Sequence, residues 1–443
     1  MTMNQTCLGK EDFLCYVNRS WSVAWPMILI MLFEFLIGLT DVFVAGRVGK
    51  EVQATYGYAV QLYFIFIVIA NALTVGTVSI VSRQFTAADP NRLSMVVISS
   101  LSAAALAGVG LAVLAFLLAP AIMNALNMPS ELKTMATSFV RIYAVGLLSQ
   151  YVMINCDGIL RSCNMVRNSL KSNAVAAILN VGLCLFFVFR TPLGYKGIAL
   201  STVISVTVGS LLNLYFVRRV ITGSRRFLPS TVKDMLKIGW PMGALQVLWQ
   251  LASVTLFLII GELSQDRVAV LAAFAIGLRV ESVIYLPAFA FNMANAVIIG
   301  NLLGEKRFAE AYRSGLTTAG IGVAVVAVLV VVVILNAPWI MSMLSTNDVV
   351  MREGVRYLYI SMISEPFMAW GIILGGGLNG AGDTRGVMIR VALPLWIVRI
   401  PLAYMLVAVF DFGPSAIWWS MNASQAVQAF LMYRRYAQRA WLR

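Results

Sequence analysis

Residues 25–49 read WPMILIMLFEFLIGLTDVFVAGRVG. This run is longer than the ~20 apolar residues a helix needs to cross a ~30 Å hydrocarbon core, yet it carries Glu34 and Asp41. The whole chain is of the same kind. Its 443 residues are 60% hydrophobic and 12% charged, with a mean hydropathy of +0.84. A soluble domain carries about 25% charged residues, so the composition specifies a polytopic membrane protein. The spans should be helical: only helices and closed barrels satisfy the backbone in lipid, and the runs lack the alternation of barrel strands.

Twelve such runs are expected, near 21–45, 54–82, 93–119, 134–156, 172–189, 197–217, 238–261, 268–300, 314–340, 355–378, 387–410 and 415–433. Basic residues orient them, because cytoplasmic loops retain Lys and Arg. With the N-terminus inside, the inner segments hold 22 Lys and Arg and the outer ones 7, and 4 more fall within spans. Both termini are therefore expected in the cytoplasm. The formal charge of +14 is a topology signal with contact to anionic lipid; no nucleic-acid partner is expected.

Several chemistries are excluded. The chain has no histidine, the commonest metal ligand and general base, and no phosphate-binding GxxxxGK[ST] loop. Cysteines 7, 15, 156, 163 and 184 lack metal-site spacing and read as small apolar residues. The first nineteen residues have no apolar core of signal-peptide length. Neither a cofactor nor enzymatic activity is expected.

The densest basic gap, 218–237, divides the spans six and six, so that residues 1–222 form one lobe with helices 1–6 and 223–443 the other with helices 7–12. The halves echo each other: Trp25-Pro26 recurs as Trp240-Pro241 and Gly46 as Gly261, while ILRSCNMV at 159–166 aligns with GLNGAGDT at 377–384. One narrow offset across several weak matches indicates an internal repeat. Six spans per half make the repeats parallel, the arrangement in which transporters bind substrate between halves and rock one against the other.

An acid at the centre of a span costs at least ~2.5–3.5 kcal/mol on insertion scales, so it normally faces a cavity or a partner. Seven residues turn a helix through nearly two full turns, which puts Glu34 and Asp41 on one face about 10 Å apart. Asp41 reads as a titratable or cation-binding group, or else as an interfacial acid close to Arg47. Glu34 reads as a second such group or a buried structural partner. A carboxyl taken out of water holds its proton more tightly, which is the physical basis for coupling to a proton gradient. Asn173 and Asn180 are likewise seven apart and Thr202 opens the sixth span; such groups also simply join helices. In the second half Arg279, Glu281 and Glu365 are further candidates. Arg279 and Glu281, two apart, face away from each other. Pro26, Pro287, Pro366, Pro394 and Pro401 mark potential bends.

Taken together, WPMILIMLFEFLIGLTDVFVAGRVG, GLRVESVIYLPAFAFNMANAVIIGNLLGEKR (277–307) and GLNGAGDTR (377–385) give the chain a resemblance, over essentially its whole length, to the multidrug and toxic compound extrusion (MATE) family of the MOP flippase superfamily. The resemblance implies two pseudo-twofold six-helix bundles in a V, and export of amphipathic or cationic compounds by alternating access against H⁺ or Na⁺. Asp41 matches the family's first-span coupling aspartate, and Asn180 and Thr202 match its polar companions. Two positions depart from the pattern. Cys184 stands where many relatives carry a second aspartate, and GALQVLWQLAS (243–253) holds no acid where some relatives have one. A thiol is a poor ligand for Na⁺, which prefers oxygen, so H⁺ is the expected ion, with Na⁺ at Asp41, Asn180 and Thr202 the alternative. The expected protein is a monomer in a bacterial inner membrane, with small amphipathic or cationic substrates and lipids as partners. A lipid-linked oligosaccharide flippase is the alternative function, although twelve spans with few mid-span cations argue against it.

Overall fold

The structure, a computed structural model, describes residues 13–87, 89–125, 129–263 and 266–442; Cys7, Lys10 and the remainder of the first twelve residues lie outside these ranges. The described residues are helical with no strand. In order the helices are α1 (Phe13–Val48), α2 (Lys50–Thr86), α3 (Pro90–Ala125), α4 (Ser130–Ser162), α5 (Val166–Arg190), α6 (Lys196–Val217), α7 (Pro229–Gly261), α8 (Arg267–Gly304), α9 (Phe308–Leu344), α10 (Asp348–Ser361), α11 (Glu365–Gly380), α12 (Thr384–Val409) and α13 (Ser415–Ala437).

Among the described residues ten helices are long and apolar enough to cross a membrane, and eleven spans result if α10 and α11, bent by 53° at their junction, count as one. This is the integral membrane architecture the composition requires. The helix at the twelfth expected span, α13, is less apolar and buries Asn422, Gln425 and Gln428. The α10–α11 break comes just before Pro366, which has no N–H to continue the helical ladder. In α12, Pro394 and Pro401 accompany two π-helical stretches, Pro394–Arg399 and Met405–Val409, which re-route backbone hydrogen bonds without ending the helix. One expectation about the cysteines is corrected: Cys15 is disulfide-bonded, whereas Cys156, Cys163 and Cys184 are free and buried.

The chain forms two compact units, Leu29–Trp240 (the N-terminal unit) and Met1–Ile28 with Pro241–Arg443 (the C-terminal unit). The divisions thus fall inside α1 and α7, next to the repeated Trp-Pro pairs.

In the N-terminal unit the helices meet through small residues and polar joints. A side chain at Gly76 would strike the Met235 carbonyl and one at Gly239 the Ala72 carbonyl, so the opening of α7 lies directly on α2. Thr77, Ser100 and Asn155 join α2, α3 and α4, with Asn155 Nδ2 donating to Thr77 Oγ1 at 3.0 Å and Ser100 Oγ to Asn155 Oδ1 at 2.7 Å. The basic gap between the sixth and seventh spans, read as 218–237, is shortened by the start of α7 at Pro229. It is also fastened to α3: the amides of Gly223, Ser224 and Leu228 donate to Ser94 Oγ, Asn91 Oδ1 and Ser99 Oγ at 2.8, 3.0 and 2.8 Å.

In the C-terminal unit, the opening of α1 is held to α9 by ions: Arg19 Nη1 donates to Glu310 Oε1 at 2.8 Å, and Arg307 Nε to the other oxygen at 2.7 Å. Ser20 and Thr318 share a hydrogen bond beside them. Gly376 and Gly380 on α11 sit against the carbonyls of Asn292 and Ala296 on α8, a small-xxx-small contact that brings the two backbones together.

Candidate functional site

Asp41 lies in the last third of α1 and is only 2% exposed. Val44, Ala45, Tyr56, Phe139, Tyr143, Cys184 and Ala199 belong to one apolar cluster around this level of the unit. Thr202 Oγ1 on α6 donates to Asp41 Oδ2 at 2.9 Å, and Asn180 Nδ2 on α5 donates to Thr202 Oγ1 at 3.1 Å. Cys184, Asn180 and Tyr56 also lie within polar reach of the carboxyl, yet Asp41 Oδ1 and Asn180 Oδ1 are buried with no hydrogen bond of ordinary geometry. Burying a polar oxygen without a partner costs ~1–3 kcal/mol, so two such acceptors side by side are a site prepared for something that donates: a proton on the carboxyl, or a small cation. Arg47, the neighbour that would make Asp41 an interfacial ion pair, instead stacks over the Phe43 ring at 5.2 Å.

Asp41, Asn180, Thr202 and Cys184 therefore come together as their spacing suggested. Glu34 and Asn173, each seven residues earlier on the same helices, do not join them. Asn173 Nδ2 donates to Asp157 on α4 at 3.1 Å. Glu34 is exposed, and the charged groups acting on it are Asp157 and Arg161. The fourth apolar run, read as 134–156, ends at Cys156, and hydropathy therefore puts Asp157 in a loop. In the structure α4 continues to Ser162. The acid in YVMINCDGILRS, flanked by Asn155 and Arg161, was the available signal.

The C-terminal unit contains a second acidic cluster. Glu281 on α8 is fully buried and accepts from Tyr357 Oη on α10 at 2.5 Å and from Tyr285 Oη at 3.1 Å. Glu365, in the first turn of α11, is also fully buried, and neither carboxylate oxygen has a hydrogen bond. Arg399 in the π-helical part of α12 is the cation acting on both acids, and its Nε donates to Ser424 Oγ at 2.8 Å. Arg279 is exposed and outside this cluster. Tyr285 follows Glu281 by four residues on α8, a spacing the sequence carries, whereas Tyr357 and Arg399 come from α10 and α12 and had no periodic signal to mark them. Two open cavities of about 390 and 400 Å³ near Gln84, Asp89 and Arg219 touch neither cluster.

Comparison with known proteins adds the lineage of this arrangement. A sequence model of the MatE family matches residues 26–186 and 241–405. "Uncharacterized transporter YisQ" of Bacillus subtilis is 22% identical over 441 residues, spanning 95% of this chain and 94% of that one. "Probable multidrug resistance protein NorM" of Acinetobacter baylyi is 23% identical over 435 residues and 95% of both chains. In three dimensions the bent form of the Vibrio cholerae MATE transporter VcmN superposes with a TM-score of 0.90 at 17% identity, over 96% of this chain and 97% of that one.

Proposed function

The chain belongs to the MatE family, is a transporter and not an enzyme, and from that membership we propose that it exports small amphipathic or cationic compounds in exchange for inward-moving H⁺, in a bacterial inner membrane with both termini in the cytoplasm. The observation that carries the proposal is Asp41: a carboxyl in an apolar surround, held at one oxygen by Thr202 and open at the other. A proton on Oδ1 removes the charge from the apolar site and supplies a donor for a buried acceptor such as Asn180 Oδ1. Loading and unloading that proton is a change of charge and hydrogen bonding at the junction of α1, α5 and α6. A coupling ion must be able to make such a change if it is to bias two states.

Glu281 and Glu365 with Arg399 form a second ionisable centre of this cycle, in the C-terminal unit. The name carried by several relatives, multidrug resistance protein, supports the multidrug substrate class. A Na⁺ reading has one observation in its favour, the two undonated oxygens of Asp41 and Asn180. Against it, Cys184 offers sulfur where a hard cation wants oxygen.

The test is efflux of ethidium, a fluorescent organic cation, from proteoliposomes under separately imposed pH and Na⁺ gradients. The pH gradient alone should drive efflux, and Asp41→Asn, which keeps the shape and removes the titration, should abolish it while the protein remains folded. A requirement for Na⁺ at fixed pH would transfer the coupling to sodium. Transport of a lipid-linked oligosaccharide in place of ethidium would make the protein a flippase.

A further inference from the structure

Asp157 is a carboxylate built into the bundle. It is 8% exposed, and two helices supply its three donors: Ser169 Oγ and Asn173 Nδ2 (3.1 Å) on α5, and Asn213 Nδ2 (2.8 Å) on α6, all to Oδ1. Asn173 also reaches Oδ2 at 3.3 Å. Three donors on one carboxylate favour its charged form, which burial opposes. Arg161, one helical turn later on α4, is the cation acting on it.

Two features of this cluster go beyond a satisfied structural acid. Asn213 is completely buried, and the carbonyl of the same amide that holds Asp157 has no donor. Glu34, exposed and without a hydrogen bond among the described residues, feels both Asp157 and Arg161. No other charged side chain of the helices packed here acts on Glu34. The three charges total −1 with Glu34 ionised and zero with it protonated. The cluster also shares its sequence spacing on α1 and α5 with the Asp41 site. Glu34 precedes Asp41 by seven residues on α1 and Asn173 precedes Asn180 by seven on α5, so the two levels are separated by about 10 Å along the same two helices.

We propose that Glu34, Asp157, Arg161 and Asn213 form a second proton station in the N-terminal unit, on the cytoplasmic side of Asp41, through which the coupling proton leaves. Glu34 is the group that carries the proton. With Glu34 ionised, Arg161 is shared between two carboxylates. When a proton binds Glu34, Arg161 is left to Asp157 alone and the cluster is neutral. Release of that proton to cytoplasmic water restores the carboxylate and the shared pair. Asp157, Arg161 and Asn213 are positioning residues: they set the charge that Glu34 sees and leave one acceptor for a donor. The proposal rests on proton coupling at Asp41.

The experiment uses the full-length protein in proteoliposomes, with ethidium efflux measured while the pH on the side facing the N-terminus is varied and the opposite pH is held constant. Ethidium binding to the purified protein is measured in parallel. Glu34→Gln should reduce gradient-driven efflux about tenfold, as expected for loss of one acid–base group, and leave ethidium affinity within about twofold. Asp157→Asn and Arg161→Gln should move the pH of half-maximal efflux by about one unit in opposite directions, because one removes a like charge and the other a counter-charge. A purely structural role would instead change yield or thermal stability with the profile unmoved. The proposal is overturned by a Glu34→Gln variant with wild-type rate and profile, by profile shifts of the same sign in the two positioning variants, or by a tenfold loss of ethidium affinity, which would make Glu34 a substrate contact. If Asp157→Asn fails to fold, Glu34→Gln and Arg161→Gln decide the matter. Gradient-driven efflux that survives Asp41→Asn refutes the Asp41 reading and leaves these outcomes separately visible.

Discussion

Gly376 and Gly380 set the distance between the helices that carry Glu365 and Glu281. A Cβ added at Gly376 would stand 2.1 Å from the Asn292 carbonyl oxygen, and one at Gly380 2.0 Å from that of Ala296. Carbon and carbonyl oxygen stop at about 3.3–3.6 Å even in favourable contacts, so each substitution is short of space by more than ~1 Å. Both obstructing atoms are backbone, and no rotamer change relieves them; α11 has to move away from α8. Overpacking of this kind costs ~1–3 kcal/mol. A single displacement relieves both positions, so the penalties should not add. We expect Gly376→Ala and Gly380→Ala each to lower stability by ~2 kcal/mol, and the double variant by ~3 and not ~4 kcal/mol. Because the displacement carries Glu365 away from Glu281, ethidium efflux should fall in the same order. Stability would be read by chemical denaturation of the purified protein followed by tryptophan fluorescence, and transport in proteoliposomes. Single variants within ~0.5 kcal/mol of wild type, the range of ordinary surface substitutions, or a strictly additive double variant, would refute the argument.

Thr202→Val removes the hydroxyl that both donates to Asp41 and accepts from Asn180. Hydrogen bonds to charged groups are worth ~1.5–3 kcal/mol, so efflux should fall at least tenfold while Thr202→Ser retains most of it; equal activity in the two variants would deny the hydroxyl a role. Glu310→Gln strips the buried acid from between Arg19 and Arg307 and should cost ~3–5 kcal/mol, read as a lowered melting temperature that persists in high salt; a melting temperature equal to wild type contradicts it. Asn91→Ala, Ser94→Ala and Ser99→Ala each free one amide of the 223–228 strap at ~1 kcal/mol per bond, and tryptic cleavage after Arg225 or Arg226 should accelerate about fivefold per bond removed; unchanged cleavage would mean the strap is held elsewhere. Cys184→Asp places a carboxylate beside Asp41 and should introduce Na⁺ dependence into efflux, and its absence would remove position 184 from ion selection.

Hydropathy is a local property, and a segment in lipid has no choice but to pair its own backbone. The sequence alone therefore determined the membrane class, the helical architecture and the approximate order of spans. It also determined the family, through a first-span aspartate in an apolar run and a glycine-rich turn after α11. Helical periodicity put Asp41 and Glu34 on one face, and Asn173 and Asn180 on another. Periodicity describes one helix at a time, however, and partnership is decided by what faces it. The tertiary structure assigned Asn180, Thr202 and Cys184 to Asp41, and Asn173 to Asp157, because α4 and α6 present Asp157 and Asn213 at one level and Thr202 at the other. It brought Tyr357 and Arg399 to Glu281 and Glu365 across α10 and α12, at separations no local pattern encodes. Helix ends were the other gap. Hydropathy marks where the apolar run stops, but helices continue into polar residues as long as neighbouring helices bury them, as α4 does past Cys156 and α7 does ahead of Gly239. For that reason the partners of Asp157, Ser169 and Asn173 on α5 and Asn213 on α6, were visible only in the folded bundle.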